Sequence, residues 1–373
     1  MASELSPRIR AGLQRRLLTW FYAQRRDLPW RCGRDPYHIW VAEIMLQQTR
    51  IAAVLPYYGR FLENFPTVES VAAARPEKVL RLWSGLGYYS RARNLHRAAR
   101  EIVAGHAGKF PHTLKAALAL PGIGRYTAAA VLSIAYDVPL AALDGNVARV
   151  LARLGAVRGD LRAPHRWRQL TKTAKDLLAL RAPGDWNQAL MELGETICTP
   201  QSPRCGSCPV SRFCRAWALH LTDAIPGPRR KRATVSLRIA AAILYDPRGR
   251  TLLVRDLKAY DGVLFSRLWQ FPAVQVARQP LARLERHLRE SLKLDSTPLQ
   301  LEALPAVRHG VTFRDITLLP FLAPVAALPR LAGTRVLALD RIDHLPVSSA
   351  TRKIAAAAVR SDSLSRYHSA PPP

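Results

Sequence analysis

The stretch Leu118-Ala-Leu-Pro-Gly-Ile-Gly-Arg-Tyr-Thr-Ala-Ala-Ala130 closes one helix and opens another within a few residues. Pro121 stops the first helix, Gly122 and Gly124 permit a tight turn with exposed backbone N–H groups, and Thr127 falls near the start of the second. Free N–H groups at a helix N-terminus form a ready site for an anion such as a phosphate. A plain helical hairpin turn would use the same residues, so the rest of the chain has to decide between the two.

The composition favours the phosphate. Lys and Arg total 56 against 27 Asp and Glu, a net charge of +29, and such an excess suits a polyanion whose counterions are released on binding. With that charge, the 118–130 turn reads as a helix-hairpin-helix clamp on one DNA strand, fixing position without reading sequence. Charge alone would equally suit a structural nucleic-acid binder and says nothing about chemistry. The N-terminal Met-Ala-Ser-Glu-Leu-Ser-Pro-Arg-Ile-Arg-Ala-Gly12 has no apolar signal core, and no run of 18 apolar residues exists. The expectation is a soluble bacterial cytoplasmic protein with reduced thiols and no membrane association.

At 373 residues, two domains are expected. Helical periodicity runs through Leu13–Phe21, Ile39–Leu55, Val68–Leu82, Leu95–Val103, Leu114–Leu120, Thr127–Ala135, Val147–Leu154 and Trp186–Leu193. A basic, Pro-rich linker follows at Ile225–Arg232. Beyond it, Val235–Leu244, Thr251–Val254, Ala303–Val307 and Ile316–Phe321 read as strands, with a helix near Leu281–Leu292. The reading is an all-α domain over residues 1–222, a linker over 223–234, an α+β domain over 235–360 and a disordered tail over 361–373.

Cys32 stands alone, whereas Cys198, Cys205, Cys208 and Cys214 crowd into one short loop. In a reducing compartment that clustering indicates a metal site before a disulfide framework. Structural zinc more often uses two Cys-x2-Cys knuckles, while a [4Fe–4S] cluster takes four thiolates at varied spacing, so the cluster is favoured and zinc stays open. Arg204, Arg212 and Arg215 would surround the loop with positive charge.

Two carboxylates are candidates for chemistry. Glu43 is the only acid between Asp35 and Glu63, in the apolar run Tyr37-His-Ile-Trp-Val-Ala-Glu-Ile-Met-Leu46. Desolvation there would favour its protonated form, as a general acid near neutral pH requires, unless it pairs with an arginine. Asp144 precedes Gly145-Asn146-Val147 at an expected helix start, where an ordinary N-cap aspartate is the simpler reading. A pair of carboxylates in opposite protonation states is nevertheless how glycosidic bonds are broken.

Leu28-Pro-Trp-Arg31, Ala42-Glu-Ile-Met-Leu-Gln-Gln-Thr49, Gly85-Leu-Gly-Tyr-Tyr-Ser-Arg-Ala-Arg-Asn94, Leu120–Thr127, Leu143-Asp-Gly-Asn-Val147, Trp186-Asn-Gln188 and the cysteine spacing together resemble the MutY family of DNA glycosylases, relatives of endonuclease III. The resemblance implies a helix-hairpin-helix glycosylase, the hairpin over about 114–135 and a [4Fe–4S] cluster loop over 198–214, whose role is structural and DNA-positioning. It implies a monomer that excises adenine mispaired with 8-oxoguanine or guanine from double-stranded DNA. Glu43 would protonate the flipped adenine at N7 and Asp144 stabilise the developing cation. Tyr126 would assist both, and Asn146 would hold Asp144 and the attacking water. Trp30, Arg31 and Gln188 would line the adenine pocket. Gln48 and Tyr88, with Leu86 beside them, would fill the vacated stack. Gly122, Gly124 and Thr127 would contact the DNA backbone.

Endonuclease III-like enzymes with lyase activity place a lysine where this chain has Tyr126, so a monofunctional enzyme is implied rather than a glycosylase/lyase. A non-catalytic iron–sulfur DNA-binding protein would not need both Glu43 and Asp144. The C-terminal half resembles a MutT-like (Nudix) domain through Leu268-Trp-Gln-Phe-Pro272, without that fold's metal-binding carboxylate cluster, so a lesion reader is expected rather than a nucleotide hydrolase. Where the family places a Phe-Ser-His lesion contact, this chain has Val311-Thr-Phe313, and Thr312 is the candidate contact to 8-oxoguanine.

Overall fold

In the computed structural model, described residues are 6–228, 233–256, 265, 267–294 and 299–361. The expected tail beyond residue 361 and part of the expected linker, residues 229–232, lie outside them. The chain divides into two compact units, Met1–Ala74 with Asn94–Arg230, and Arg75–Arg93 with Lys231–Pro373. The sequence reading placed segment 75–93 in the helical domain; by its contacts it groups with the second unit. Its buried Val79, Leu80, Leu82 and Trp83 give a helical periodicity that reports a core but not which core.

The helices are α1 (Pro7–Gln24), α2 (Pro36–Leu46), α3 (Ile51–Asn64), α4 (Val68–Ala73), α5 (Pro76–Leu82), α6 (Ser90–Gly105), α7 (Leu114–Ala119), α8 (Arg125–Tyr136), α9 (Gly145–Leu154), α10 (Pro164–Asp176), α11 (Pro183–Thr196) and α12 (Arg215–Ala218). Two expected helices are each broken in two. Ile39–Leu55 breaks between α2 and α3, where Gln48 adopts φ 58°. Val68–Leu82 breaks where Pro76 starts α5, because the residue before a proline is pushed out of the helical region. No helix among the described residues is long and apolar enough to cross a membrane.

In the first unit α2 packs on α8, and α11 on α1, α8 and α9. Helix α2 is buried from Ile39 to Met45, consistent with its apolar character all round. Leu13, Leu17 and Phe21 of α1 share one core with Val147, Leu151 and Leu154 of α9 and Trp186, Leu190 and Leu193 of α11; Cys198, Cys208 and Cys214 pack against that core. The α7–α8 hairpin forms as read. Gly122 takes φ 77°, and a Cβ there would lie 2.6 Å from Asn94 Cβ, so the turn requires glycine.

Among the described residues the second unit contains a seven-stranded mixed sheet: β1 (Val235–Tyr245), β2 (Arg250–Val254), β3 (Ala273–Gln275), β4 (Glu302–Ala303), β5 (Val307–Val311), β6 (Arg314–Pro324) and β7 (Thr334–Ala338). Its main order is β4-β6-β1-β2-β7, with β3 on β1 and β5 on β6. Strands β1 and β6 run parallel, from Val235 opposite Arg314 to Tyr245 opposite Pro324. Alternate β1 residues serve opposite cores. Ala240, Ala242 and Leu244 meet Leu284, Leu288 and Leu292 of α13 (Pro280–Leu292). Ala241, Ile243 and Tyr245 meet Ile354, Ala355 and Ala358 of α14 (Ser349–Val359). This is the α+β architecture expected, with α14, β3 and β7 added and Ala303–Val307 resolved into β4 and β5.

Candidate active site

A cavity of about 850 Å³ in the first unit is lined by Glu43, Asp144, Tyr126, Asn146, Trp30, Arg31, Gln48 and Gln188. Residues far apart in sequence thus converge on one concave site, each for a local reason. Apolar α2 carries Glu43 inward. Asp144 caps α9, accepting from Val147 N at 2.7 Å. Helix α11 presents Gln188, and α8 presents Tyr126.

Glu43 is 7% exposed and its Oε2 has no hydrogen-bond partner among the described residues. Burial pushes its carboxyl up to about 7. The hydrogen bond with Tyr126 works against that shift, and the charges of Asp144 and Glu195 reinforce it. A protonated carboxyl at neutral pH with a free oxygen over a cavity can donate to a ligand. Burial likewise raises the Tyr126 phenol well above its usual value, with the charges of Glu43 and Asp144 adding, so it stays a proton donor.

Burial also raises Asp144, against the opposing N–H groups of Val147 and Asn146. Those two hydrogen bonds favour the carboxylate, a support that Glu43 lacks. Asp144 is thus both the N-cap and a wall of the cavity. Asn146 holds Asp144 through its backbone, while its side chain accepts from Arg149 at 3.0 Å. A Cβ on Gly194 would lie 2.9 Å from Asn146 Cβ, so glycine lets α11 approach this helix start.

Several wall residues escaped the sequence reading. Glu192, 1% exposed, accepts from Arg26 Nε at 2.6 Å and from Arg31 Nη2 at 2.8 Å. Burial pushes Glu192 upward, yet the hydrogen bonds and charges of Arg26 and Arg31 together leave it below the usual carboxylate range. Arg26 also bridges to Glu195 at 2.6 Å. Arg31 therefore lines the cavity with donors already engaged, one by Glu192 and another by the Arg26 carbonyl. Gln188, Glu192 and Glu195 sit at i, i+4 and i+7, so helical spacing from Gln188 was the available signal. Trp30 stands edge-on to Tyr58, ring centroids 5.2 Å apart.

Two residues expected at the DNA are buried in this structure. Thr127, expected at the DNA backbone, is 2% exposed, and its hydroxyl accepts from Gln47 at 3.2 Å. Leu86, expected beside the wedges, is 7% exposed and supports its own loop, whereas Tyr88 is 38% exposed. Gln48 is exposed at the cavity rim. Gly124 is the N-cap of α8 and leaves the first N–H groups of that helix free to meet an anion.

Two buried arginines fasten the cysteine loop to α9. Arg149 donates to the Cys198 carbonyl at 2.9 Å, and Arg153 to the Thr199 carbonyl at 2.7 Å and the Cys198 sulfur at 3.4 Å. Short 3-10 turns at Cys205–Ser207 and Ser211–Phe213 bring the remaining cysteines round. The charges of Cys198 and Cys214 add to the burial that raises Cys205 and Cys208. Four thiols on one loop fit a cuboidal iron–sulfur cluster. Arg204, Arg212 and Arg215 are exposed around it.

Residues 41–180 match the HhH-GPD superfamily of base excision DNA repair proteins, and residues 198–214, bounded by Cys198 and Cys214, match the iron-sulfur binding domain of endonuclease III. A solved thermostable thymine-DNA glycosylase shares 30% identity, with a TM-score of 0.52, over 56% of this chain and 97% of its own. Fold and site therefore define a helix-hairpin-helix DNA glycosylase with an iron–sulfur domain. The adenine DNA glycosylase of Rattus norvegicus is 35% identical over 397 residues, spanning 92% of this chain and 77% of that protein. That of Homo sapiens is 46% identical over 209 residues, spanning 54% and 38%. The chain belongs to the adenine DNA glycosylase (MutY) family, and its cofactor is a [4Fe–4S] cluster.

Purified protein should carry about four irons per chain and show thiolate-to-iron absorbance. Cys32→Ser should leave the iron content unchanged, because Cys32 is exposed and apart from the loop, whereas Cys208→Ser should lower it. One zinc and no iron would contradict the cluster.

Proposed function

We propose that the protein removes adenine mispaired with 8-oxoguanine or guanine from double-stranded DNA, as a monomer, by hydrolysis and without lyase chemistry. The observation that carries this reading is the buried, partnerless Glu43 Oε2 over a cavity shared with Asp144 and Tyr126. Adenine must leave the stack to enter the cavity, and exposed Gln48 and Tyr88 are the residues to fill its place. Protonated Glu43 gives its proton to N7 of the extruded base. The glycosidic bond then breaks with its electron pair going to adenine, and C1′ becomes cationic. The Asp144 carboxylate stabilises that cation. Water adds to C1′ and returns a proton to Glu43, leaving free adenine and an abasic sugar. Tyr126 has no amine and forms no imine with the sugar, so the strand stays intact. Cys198, Cys205, Cys208 and Cys214 would hold the iron–sulfur cluster, which would brace their loop, while exposed Arg204, Arg212 and Arg215 would meet phosphates.

Thr312 is the proposed reader of 8-oxoguanine. It stands exposed at φ 56° in the two-residue turn between β5 and β6, and its hydroxyl donates to its neighbour's carbonyl at 2.7 Å. With that hydrogen engaged, the oxygen offers lone pairs to the N7–H of 8-oxoguanine, where guanine presents only an acceptor. Single-turnover excision at one fixed salt concentration, with adenine opposite 8-oxoguanine or guanine, tests the reading. Both should be substrates, the first preferred, with breakage only after alkali. Thr312→Val should reduce excision opposite 8-oxoguanine by up to about tenfold, the worth of one hydrogen bond, and leave the guanine mispair unchanged. Equal effects on both would mean that this turn does not read the lesion.

A further inference from the structure

The loop Ser84–Tyr89 has an unusual backbone. Gly85 takes φ 105°, Gly87 75° and Tyr88 46°. A non-glycine residue in that region persists only where its surroundings over-determine the conformation. Part of the support is local: Trp83 Nε1 donates to the Gly87 carbonyl at 3.1 Å, and Gly85 N to the Tyr89 hydroxyl at 3.1 Å. The buried Arg91 guanidinium lies 5.5 Å from the Trp83 ring and 5.2 Å from that of Tyr88.

The remaining support comes from the start of α14. Ser84 Oγ donates to the Val347 carbonyl at 2.6 Å, and the Tyr89 hydroxyl to the same carbonyl at 2.9 Å. One acceptor therefore pins both ends of the loop's neck. Arg352 closes the arrangement from the other side, donating from Nη1 to the Ser84 carbonyl at 3.1 Å and from Nη2 to Ser84 Oγ at 3.0 Å. Its Nε is held by Asp343 at 2.6 Å. Val347 is itself bridged to Trp269, within the Leu268–Pro272 stretch that marked this domain in sequence.

We infer that Arg352 is a positioning residue for base extrusion: it clamps Ser84 and so holds the loop that presents Tyr88. The inference rests on the reading of Tyr88 as a residue that fills the vacated stack. Three fixed donors of one planar guanidinium meet three acceptors, so lysine cannot reproduce the clamp. A loop displaced by an ångström or so would insert Tyr88 less effectively and slow the step that precedes chemistry. An adenine that is already unpaired needs less work to leave the stack, so its removal should depend less on the clamp.

The test measures single-turnover excision by full-length holoprotein on two duplexes, adenine opposite guanine and the same adenine as a single-nucleotide bulge. Arg352→Ala and Arg352→Lys should each lose at least about tenfold on the mispair, staying within about twofold of wild type on the bulge, with iron content and melting transition retained. Equal loss on both duplexes, or no loss on either, overturns the inference. Tyr88→Ala separates the two levels of the argument. If it is as active as wild type on the mispair, the reading of Tyr88 falls and the clamp's role with it. If Tyr88→Ala is impaired on the mispair while both Arg352 variants match wild type, only the clamp's role falls.

Discussion

Glu43→Gln should lower single-turnover excision by roughly three decades or more, the scale of losing an essential proton donor, while binding to mispaired duplex persists. The wild-type rate should fall as pH rises through about 7, where Glu43 ionises, and should fall again at acid pH as Asp144 becomes protonated. The same substitution should stabilise the fold. Glu43 has its proton held more tightly in the native than in the unfolded chain, so its contribution is greatest below the unfolded pKa. That contribution is lost as pH rises towards about 7 and then stays constant. A shift from 4.5 to about 7 corresponds to about 3 kcal/mol. Melting curves of Glu43→Gln and wild type should coincide near pH 4 and diverge to a higher variant Tm at pH 8. A variant no more stable at pH 8 would mean that the native carboxylate is paired, and a near-wild-type excision rate would remove Glu43 from the chemistry.

Asp144→Asn should be comparably inactive, by roughly three decades, yet at least as stable as wild type at neutral pH, because burial raises the Asp144 carboxyl. Asparagine caps a helix about as well as aspartate, and its carbonyl can still accept from Val147 N at the 2.7 Å seen for Asp144. The substitution therefore removes the charge and keeps the cap. Asp144→Ala removes both and should in addition destabilise the fold by about 1 kcal/mol. An active Asp144→Asn enzyme would leave Asp144 as a helix cap alone.

What could be read from the chain follows from how local each signal is. Glu43 was legible because a single acid in an apolar helix is conspicuous. The cysteine loop was legible because all four ligands lie on one segment. Asp144 was ambiguous for a physical reason: capping and catalysis would use the same carboxylate in the same orientation, and here the cap also lines the cavity. Glu192 and Glu195 were not legible because their meaning depends on Arg26 and Arg31, which approach from another part of the chain. Thr127 looked available at a turn, but only packing shows that its hydroxyl turns inward to Gln47. The break after Leu46 left no apolar signature. The grouping of Arg75–Arg93 with the C-terminal unit rests on contacts such as Glu77 with Arg255 at 3.1 Å, across 178 residues. Removal of residues 235–373 would strip that segment of its partners, so point substitutions are the cleaner probe of the C-terminal domain.

Hydrolysis of the bond between adenine and its sugar in the Glu43–Asp144 cavity can be measured by identifying what holoprotein releases from duplexes carrying adenine opposite 8-oxoguanine, guanine, cytosine or thymine. Free adenine is expected from the first two, with one abasic site per adenine on the same strand and strand breakage only after alkali, all abolished by Glu43→Gln. Tight binding with no base released, release of a different base, or breakage at the site without alkali would contradict it.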